Sequence, residues 1–139
     1  MKIAEVSKYL DIPPSTLRYY EDEHLIPPVH RNNSGYREYT GNDINWIYLV
    51  QCLRKAGLGI NRIRQFTKLF LANPEETAGI RKQLLIDQRQ QLRDQRAQID
   101  ETLEYLDYKI DHFEEHLKTF RGQLDPYIKE HVPPVSKEE

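Results

Sequence analysis

A mainly α fold is predicted for this chain, in two parts: a small head of short helices with one hairpin, then a single long helix. Three observations predict it. Apolar residues at helical spacing recur between residues 3 and 72, punctuated by Pro13-Pro14, Pro27-Pro28 and Asn32-Asn33-Ser34-Gly35. Apolar residues at intervals of seven then run from Leu85 to Phe120. Charge divides between the same two parts: residues 1–70 carry ten Lys/Arg against seven Asp/Glu, and residues 71–139 carry ten against fifteen. The net charge of −2 therefore conceals a basic head and an acidic second half, and only the head suits a polyanion.

Ile3, Val6 and Leu10 share one face of a two-turn helix. Asp11-Ile12 supplies the turn, since Asp tolerates the left-handed conformation a tight corner requires. Pro13 extends the residue before it and Pro14 suits a first helical position, so a second helix runs from Pro14 to about Glu23. Leu17 and Tyr20 point inward, which leaves Ser15, Thr16, Arg18 and Tyr19 outward. Helix, tight turn, helix with a polar outer face is helix-turn-helix geometry. The Asn32–Gly35 turn joins Val29-His30-Arg31 to Tyr36-Arg37-Glu38-Tyr39 as a hairpin wing. Hydroxyls, guanidinium groups and tyrosines on a short helix beside a basic hairpin are groups that bond phosphates and base edges, so duplex DNA is the expected partner.

Thr40 caps a third helix, with Asp43 three residues on; Ile44, Ile47, Tyr48, Val50 and Leu53 form its apolar face, and Gly57 ends it. A fourth helix covers about Ile60 to Ala72, with Ile63, Phe66, Leu69 and Phe70 inward. Arg62 and Arg64 in its first turns oppose the helix dipole, so either solvent tolerates them or a phosphate lies near. Asn73-Pro74-Glu75-Glu76 is the strongest helix start in the chain, and no stop follows until Gly122 and Pro126. The heptad seam interleaves Leu103, Ile110, Leu117 and Leu124 with the Leu85-to-Phe120 series; before Leu103 the interleaved position holds Lys82, Arg89 and Arg96. A helix so polar outside its seam buries that stripe only against a second copy. The expected organisation is a winged helix-turn-helix DNA-binding domain over residues 1–72, a long coiled-coil dimerisation helix over 73–124, and a disordered tail over 125–139.

No apolar run approaches a membrane span of about 20 residues, and the single cysteine, Cys52, forms neither an internal disulfide nor a multi-thiolate metal site; a cytoplasmic protein is expected. His112 and His116 have metal-ligating spacing, but among Asp111, Glu114 and Glu115 they read as a solvated face. No glycine-rich phosphate loop, nucleophile elbow or carboxylate pair appears, so neither an enzyme nor a cofactor is expected.

Residues 2–70 resemble the DNA-binding domain of the MerR family of bacterial transcription regulators. The resemblance rests on Ile3-Ala4-Glu5-Val6, Thr16-Leu17-Arg18-Tyr19-Tyr20-Glu21, Leu25-Ile26-Pro27, Gly35-Tyr36-Arg37-Glu38-Tyr39, Asp43-Ile44 and Leu53-Arg54-Lys55-Ala56-Gly57-Leu58. It implies an antiparallel homodimer that kinks and untwists an overlong promoter spacer and thereby realigns it for RNA polymerase. It implies Arg18, Tyr19, Tyr36 and Arg37 on phosphates, with Arg31 on the facing arm of the wing. Ser15 and Thr16 are implied near the groove, and Tyr39 either at the interface or packed under the wing. Three positions depart from the family pattern: Asp11 where Gly is usual, Pro13 in place of a capping Ser or Thr, and Gly59 in place of Ser. Cys52 within Val50–Leu58 further resembles the aldehyde- and electrophile-responsive AdhR/NmlR subgroup, which implies a sensing thiolate beside Arg54 and Lys55. By helical spacing alone, Cys52 follows Ile44 and Tyr48 onto the buried side, where a cysteine is a packing residue. The competing readings are a coiled-coil protein-interaction module and a same-family regulator holding a non-covalent ligand between the long helix and helix four.

Overall fold

Local signals set most of the helix boundaries. The computed structural model describes residues 1–120; Gly122, Leu124 and the expected tail lie outside them. In chain order the elements are α1 (Ile3–Leu10), α2 (Pro14–Asp22), β1 (His30–Arg31), β2 (Arg37–Glu38), α3 (Gly41–Lys55), α4 (Ile60–Ala72), α5 (Ala78–Asp111) and α6 (Phe113–Phe120). Asp11 closes α1 in the left-handed region at φ 53°, and α2 starts at Pro14 with no side-chain cap. Thr40 and Asp43 cap α3 reciprocally: the Asp43 amide donates to Thr40 Oγ1 at 3.2 Å and the Thr40 amide to Asp43 Oδ2 at 2.8 Å.

β1 and β2 pair antiparallel, His30 opposite Glu38 and Arg31 opposite Arg37. Their turn is held by Asn32, whose Oδ1 accepts from the amides of Ser34 (2.9 Å) and Tyr36 (3.0 Å), and by Gly35 at φ 83°. On its other edge β2 bridges to Lys2, so the chain ahead of α1 extends the wing.

The first compact unit runs from Met1 to Leu92. Its core is centred on Val6, Leu17, Leu25, Ile26, Ile47 and Ile63, all almost fully buried; burial stabilises each by about 1.5–3 kcal/mol. The unit extends past residue 72 because the start of α5 packs back onto it. Arg81 stacks its guanidinium over the rings of Phe66 (5.6 Å) and Phe70 (5.1 Å). Gln88 is buried and donates from Nε2 to the Ala56 carbonyl at 2.7 Å. That contact needs a glycine next door: Gly57 has φ 85°, and a Cβ there would stand 3.1 Å from the Gln88 amide nitrogen.

The long helix starts later than expected and is interrupted within its expected span, while its expected end lies outside the described residues. Asn73 caps a separate turn, accepting from the Glu76 amide at 3.1 Å, while the Thr77 hydroxyl donates to the Asn73 carbonyl at 2.6 Å; α5 therefore starts at Ala78. It is interrupted at His112, where ring Nδ1 lies 2.9 Å from the Tyr108 carbonyl that the His112 amide also reaches, at 3.1 Å. The His116 amide still donates to the His112 carbonyl at 2.9 Å, carrying helical bonding across the interruption. The second unit starts at Arg93, and from there to Asp100 every α5 residue is exposed. Among the described residues no helix is long and apolar enough to cross a membrane.

Candidate nucleic-acid interface

Leu17 and Tyr20 anchor α2 in the core, and this turns Ser15, Arg18 and Tyr19 outward, with Thr16 half-buried at the edge. The helix is fixed from below by α4. Arg64 donates from Nε to the Glu23 carbonyl and from a terminal nitrogen to Glu23 Oε2, both at 2.8 Å. Thr67, itself buried, donates its hydroxyl to the Leu25 carbonyl at 2.6 Å. Arg64 is thus engaged within the fold, while Arg62 is exposed.

The wing is tied to α2 through one carboxylate. Glu21 Oε2 accepts from the Val29 amide at 2.7 Å, and Oε1 accepts from Arg37 Nε at 2.5 Å. Arg37 also approaches Asp22 at 3.4 Å, and its side chain is only 12% exposed. Burial works to raise the Glu21 pKa, but the bonds from Arg37 and Val29 and the charges of Arg37 and Arg31 outweigh it and hold the carboxyl below its ordinary range. The bond to Glu21 correspondingly raises Arg37. Arg37, expected on a phosphate, is paired in the structure with Glu21 and Asp22. Tyr39 takes the second of its two expected places: it is 3% exposed, packed in the core, and burial raises its hydroxyl pKa.

Lys2, Arg18, Arg31, Tyr36 and Arg37 line a concavity of about 520 Å³ between α1, α2 and the wing. Lys2, Arg18, Arg31 and Tyr36 are exposed, and Arg31 reaches the Gly35 carbonyl at 3.1 Å. The α2 face and the wing thus present hydroxyls, aromatic edges and cations to one side. Lys2 was not among the expected site residues; its bridge to Glu38 is a long-range pairing that no local pattern announces.

Cys52 lies elsewhere, on α3. It is exposed, not buried as spacing suggested, because the apolar stripe of α3 runs through Trp46, Val50 and Leu53 and leaves Tyr48 (59% exposed) and Cys52 outside it. Tyr48 and Cys52 lie one turn apart on that exposed side, and the interaction with Cys52 raises the Tyr48 pKa. Arg54 engages the hydroxyl of Tyr20, whose pKa burial nevertheless raises. His112 and His116 stack with ring centroids 5.5 Å apart; among the described residues no cluster of three metal-ligating side chains occurs.

The profile of the MerR HTH family regulatory proteins matches residues 1–81. The HTH-type transcriptional regulator AdhR of Bacillus subtilis is 45% identical over 91 residues, 66% of this chain and 64% of AdhR. The chain spans between about half and just under two thirds of the length of the first curated relatives it matches. Among solved structures, a MerR family transcriptional regulator from Listeria monocytogenes is 38% identical at a TM-score of 0.74, covering 84% of this chain and 88% of that one. HiNmlR, a MerR family regulator lacking the sensor domain and bound to promoter DNA, is 28% identical at a TM-score of 0.69, covering 85% and 93%.

The Glu21 tie has a measurable acid signature. Replacing Glu21 by Gln is expected to cost about 1.5–3 kcal/mol in urea unfolding at pH 7, the worth of a hydrogen bond to a charged group. Because the folded carboxyl titrates below its ordinary value of 4.5, this stabilisation is present above that value and is lost as pH falls through the lower folded one. The gap between wild type and Glu21→Gln should therefore close on acidification; a gap constant with pH contradicts the tie.

Proposed function

The chain belongs to the MerR family of helix-turn-helix regulatory proteins, and on that premise we propose that it binds promoter DNA as a homodimer and deforms an overlong spacer to control transcription. Its named relatives are transcriptional regulators, not enzymes. The observation that carries the reading is the shared outward face of α2 and the wing, with Arg18, Arg31, Lys2 and Tyr36 around one concavity. Phosphate contacts from these groups and Tyr19 fix position, and Ser15 and Thr16 on α2 meet the groove. Arg37 and Tyr39 serve the same interface from behind, holding the wing at its angle. HiNmlR, bound to promoter DNA with a similar fold, supports the partner class.

Pairing follows from the α5 seam, whose apolar residues are at least 39% exposed from Leu85 to Leu117. Two heads held by one pair of helices apply opposing grips to the duplex, and bending it costs about 1–6 kcal/mol, which phosphate contacts at both heads offset. RNA polymerase then acts on the realigned promoter, in the cytoplasm. The effector enters at Cys52: an exposed thiol one turn from Tyr48 is accessible to react with an aldehyde or another electrophile.

A second reading rests on a separate cavity of about 250 Å³ lined by Trp46, Leu49, Phe66, Phe70 and Arg81, with Asn42 and Asn45 at its mouth. Its aromatic walls suit a small non-covalent ligand at the junction of α3, α4 and α5. Thermal-shift screening separates the two: a ligand of this cavity stabilises wild type and Cys52→Ser alike.

Arg18→Ala should weaken binding to the chain's own upstream duplex across sequences and reduce the slope of log K against log salt by about 1; an unchanged slope removes Arg18 from the phosphate contacts. Cys52→Ser should bind that duplex with wild-type affinity and lose its transcriptional response to aldehydes. Full induction in the mutant would exclude thiol chemistry.

A further inference from the structure

The cavity of about 250 Å³ at the junction of α3, α4 and the start of α5 has apolar and aromatic walls, yet one wall is a cation. Trp46 and Phe70 meet there edge to face, with ring centroids 5.0 Å apart and an interplanar angle of 77°. Phe66 and Leu49 complete the apolar lining, and the exposed Asn42 and Asn45 place neutral carboxamides at the mouth. Among the described residues that line the cavity, Arg81 is the only charged one.

Arg81 is fixed but not neutralised. Its Nε donates to Thr77 Oγ1 at 3.1 Å, its Nη2 donates to the Pro74 carbonyl, and its guanidinium rests over the Phe66 and Phe70 rings. Glu75 and Glu76 lie in the turn just ahead of α5, but among the described residues no carboxylate pairs with Arg81 and nothing accepts from its Nη1. Arg37 and Arg64, which are also held within the fold, each have a carboxylate. A half-buried guanidinium that is already oriented and lacks a counter-ion gains most from an anion arriving from solvent.

We propose that this cavity binds a single-ring aromatic carboxylate. The proposal rests on the second reading above, a non-covalent ligand in this cavity, and names the class of that ligand. The ring packs against Trp46 and Leu49, and the carboxylate accepts from Arg81 Nη1. The space is smaller than the roughly 300–1,000 Å³ of sites for drug-sized ligands, so it takes one ring and not a fused system. An amine is repelled by Arg81, and a neutral ring leaves the guanidinium without a counter-ion. An aliphatic carboxylate forfeits the edge-to-face contacts.

Trp46 is the only tryptophan in the chain, so its emission reports on this cavity directly. The test titrates the full chain with sodium benzoate while Trp46 emission is followed, with benzyl alcohol and benzylamine as neutral and cationic counterparts. Expected is a saturable change with benzoate, binding of benzyl alcohol weaker by about tenfold or more, and no response to benzylamine. Arg81→Gln should lower benzoate affinity to that of benzyl alcohol, and Arg81→Lys should recover part of it. Leu49→Phe, which fills the cavity and leaves Arg81 in place, should abolish the response to every ring. The comparison of benzoate with benzyl alcohol needs no variant, so it reads the charge preference even where Arg81→Gln loosens the start of α5. Benzyl alcohol or benzylamine binding as tightly as benzoate overturns the anion class and leaves the cavity reading standing. No saturable response to any of these rings removes both, and a response that survives Leu49→Phe places the site elsewhere. Sedimentation with and without benzoate should be unchanged; a dimer that benzoate or Arg81→Gln splits into monomers shows that a second copy fills the cavity, and overturns the proposal.

Discussion

The carboxylate of Glu21 joins three segments that sequence order keeps apart: α2, on which it sits; the loop at Val29, whose amide it accepts; and β2, through Arg37. A two-stranded wing of two residues per strand has almost no stability of its own. Its angle against α2 has to come from outside, and Glu21 supplies it from below while Lys2 extends β2 on the free edge. The consequence is that α2 and the wing behave as one surface. Cations on either element are then held at a fixed spacing, the condition under which phosphate contacts position a protein on DNA.

That surface is itself held by a second set of ties running toward α5. Arg64 and Thr67 of α4 bind the backbone at the end of α2, at Glu23 and Leu25. Gln88 of α5 binds the turn between α3 and α4, at Ala56, in space kept open by Gly57. α5 is thus bonded to the turn ahead of α4, and α4 to the end of α2, in each case through backbone carbonyls. Cys52 and Tyr48 lie on the exposed side of α3, one turn ahead of that same turn. The thiol is thereby close to the junction and outside the core.

The elements legible in the sequence were those with local causes. Pro14, the Asn32–Gly35 turn and the Thr40–Asp43 box each act within a few residues, and α1, α2, the wing and α3 begin or turn where those residues say. What was not legible depends on distant partners. Arg37 reads as a free cation until Glu21, 16 residues earlier, is placed beside it. Arg64 reads as an awkward charge at a helix start until Glu23, 41 residues away, receives it. Cys52 falls at the edge of an apolar stripe, where the choice between inside and outside is made by the packing of Trp46 and Leu53 and not by period. His112, where α5 is interrupted, holds its ring nitrogen against the Tyr108 carbonyl, a contact that composition does not reveal.

The claim that Glu21 and Arg37 act as a tie, and not as a phosphate contact, is tested most directly by a double-mutant cycle on affinity for a promoter duplex across a salt series. If the tie holds, Arg37→Gln and Glu21→Gln each lower affinity, the double mutant is no weaker than the weaker single, and the salt slope stays at its wild-type value. A salt slope reduced by about 1 in Arg37→Gln, with Glu21→Gln binding normally, would mean that Arg37 meets phosphate itself, and would contradict the account.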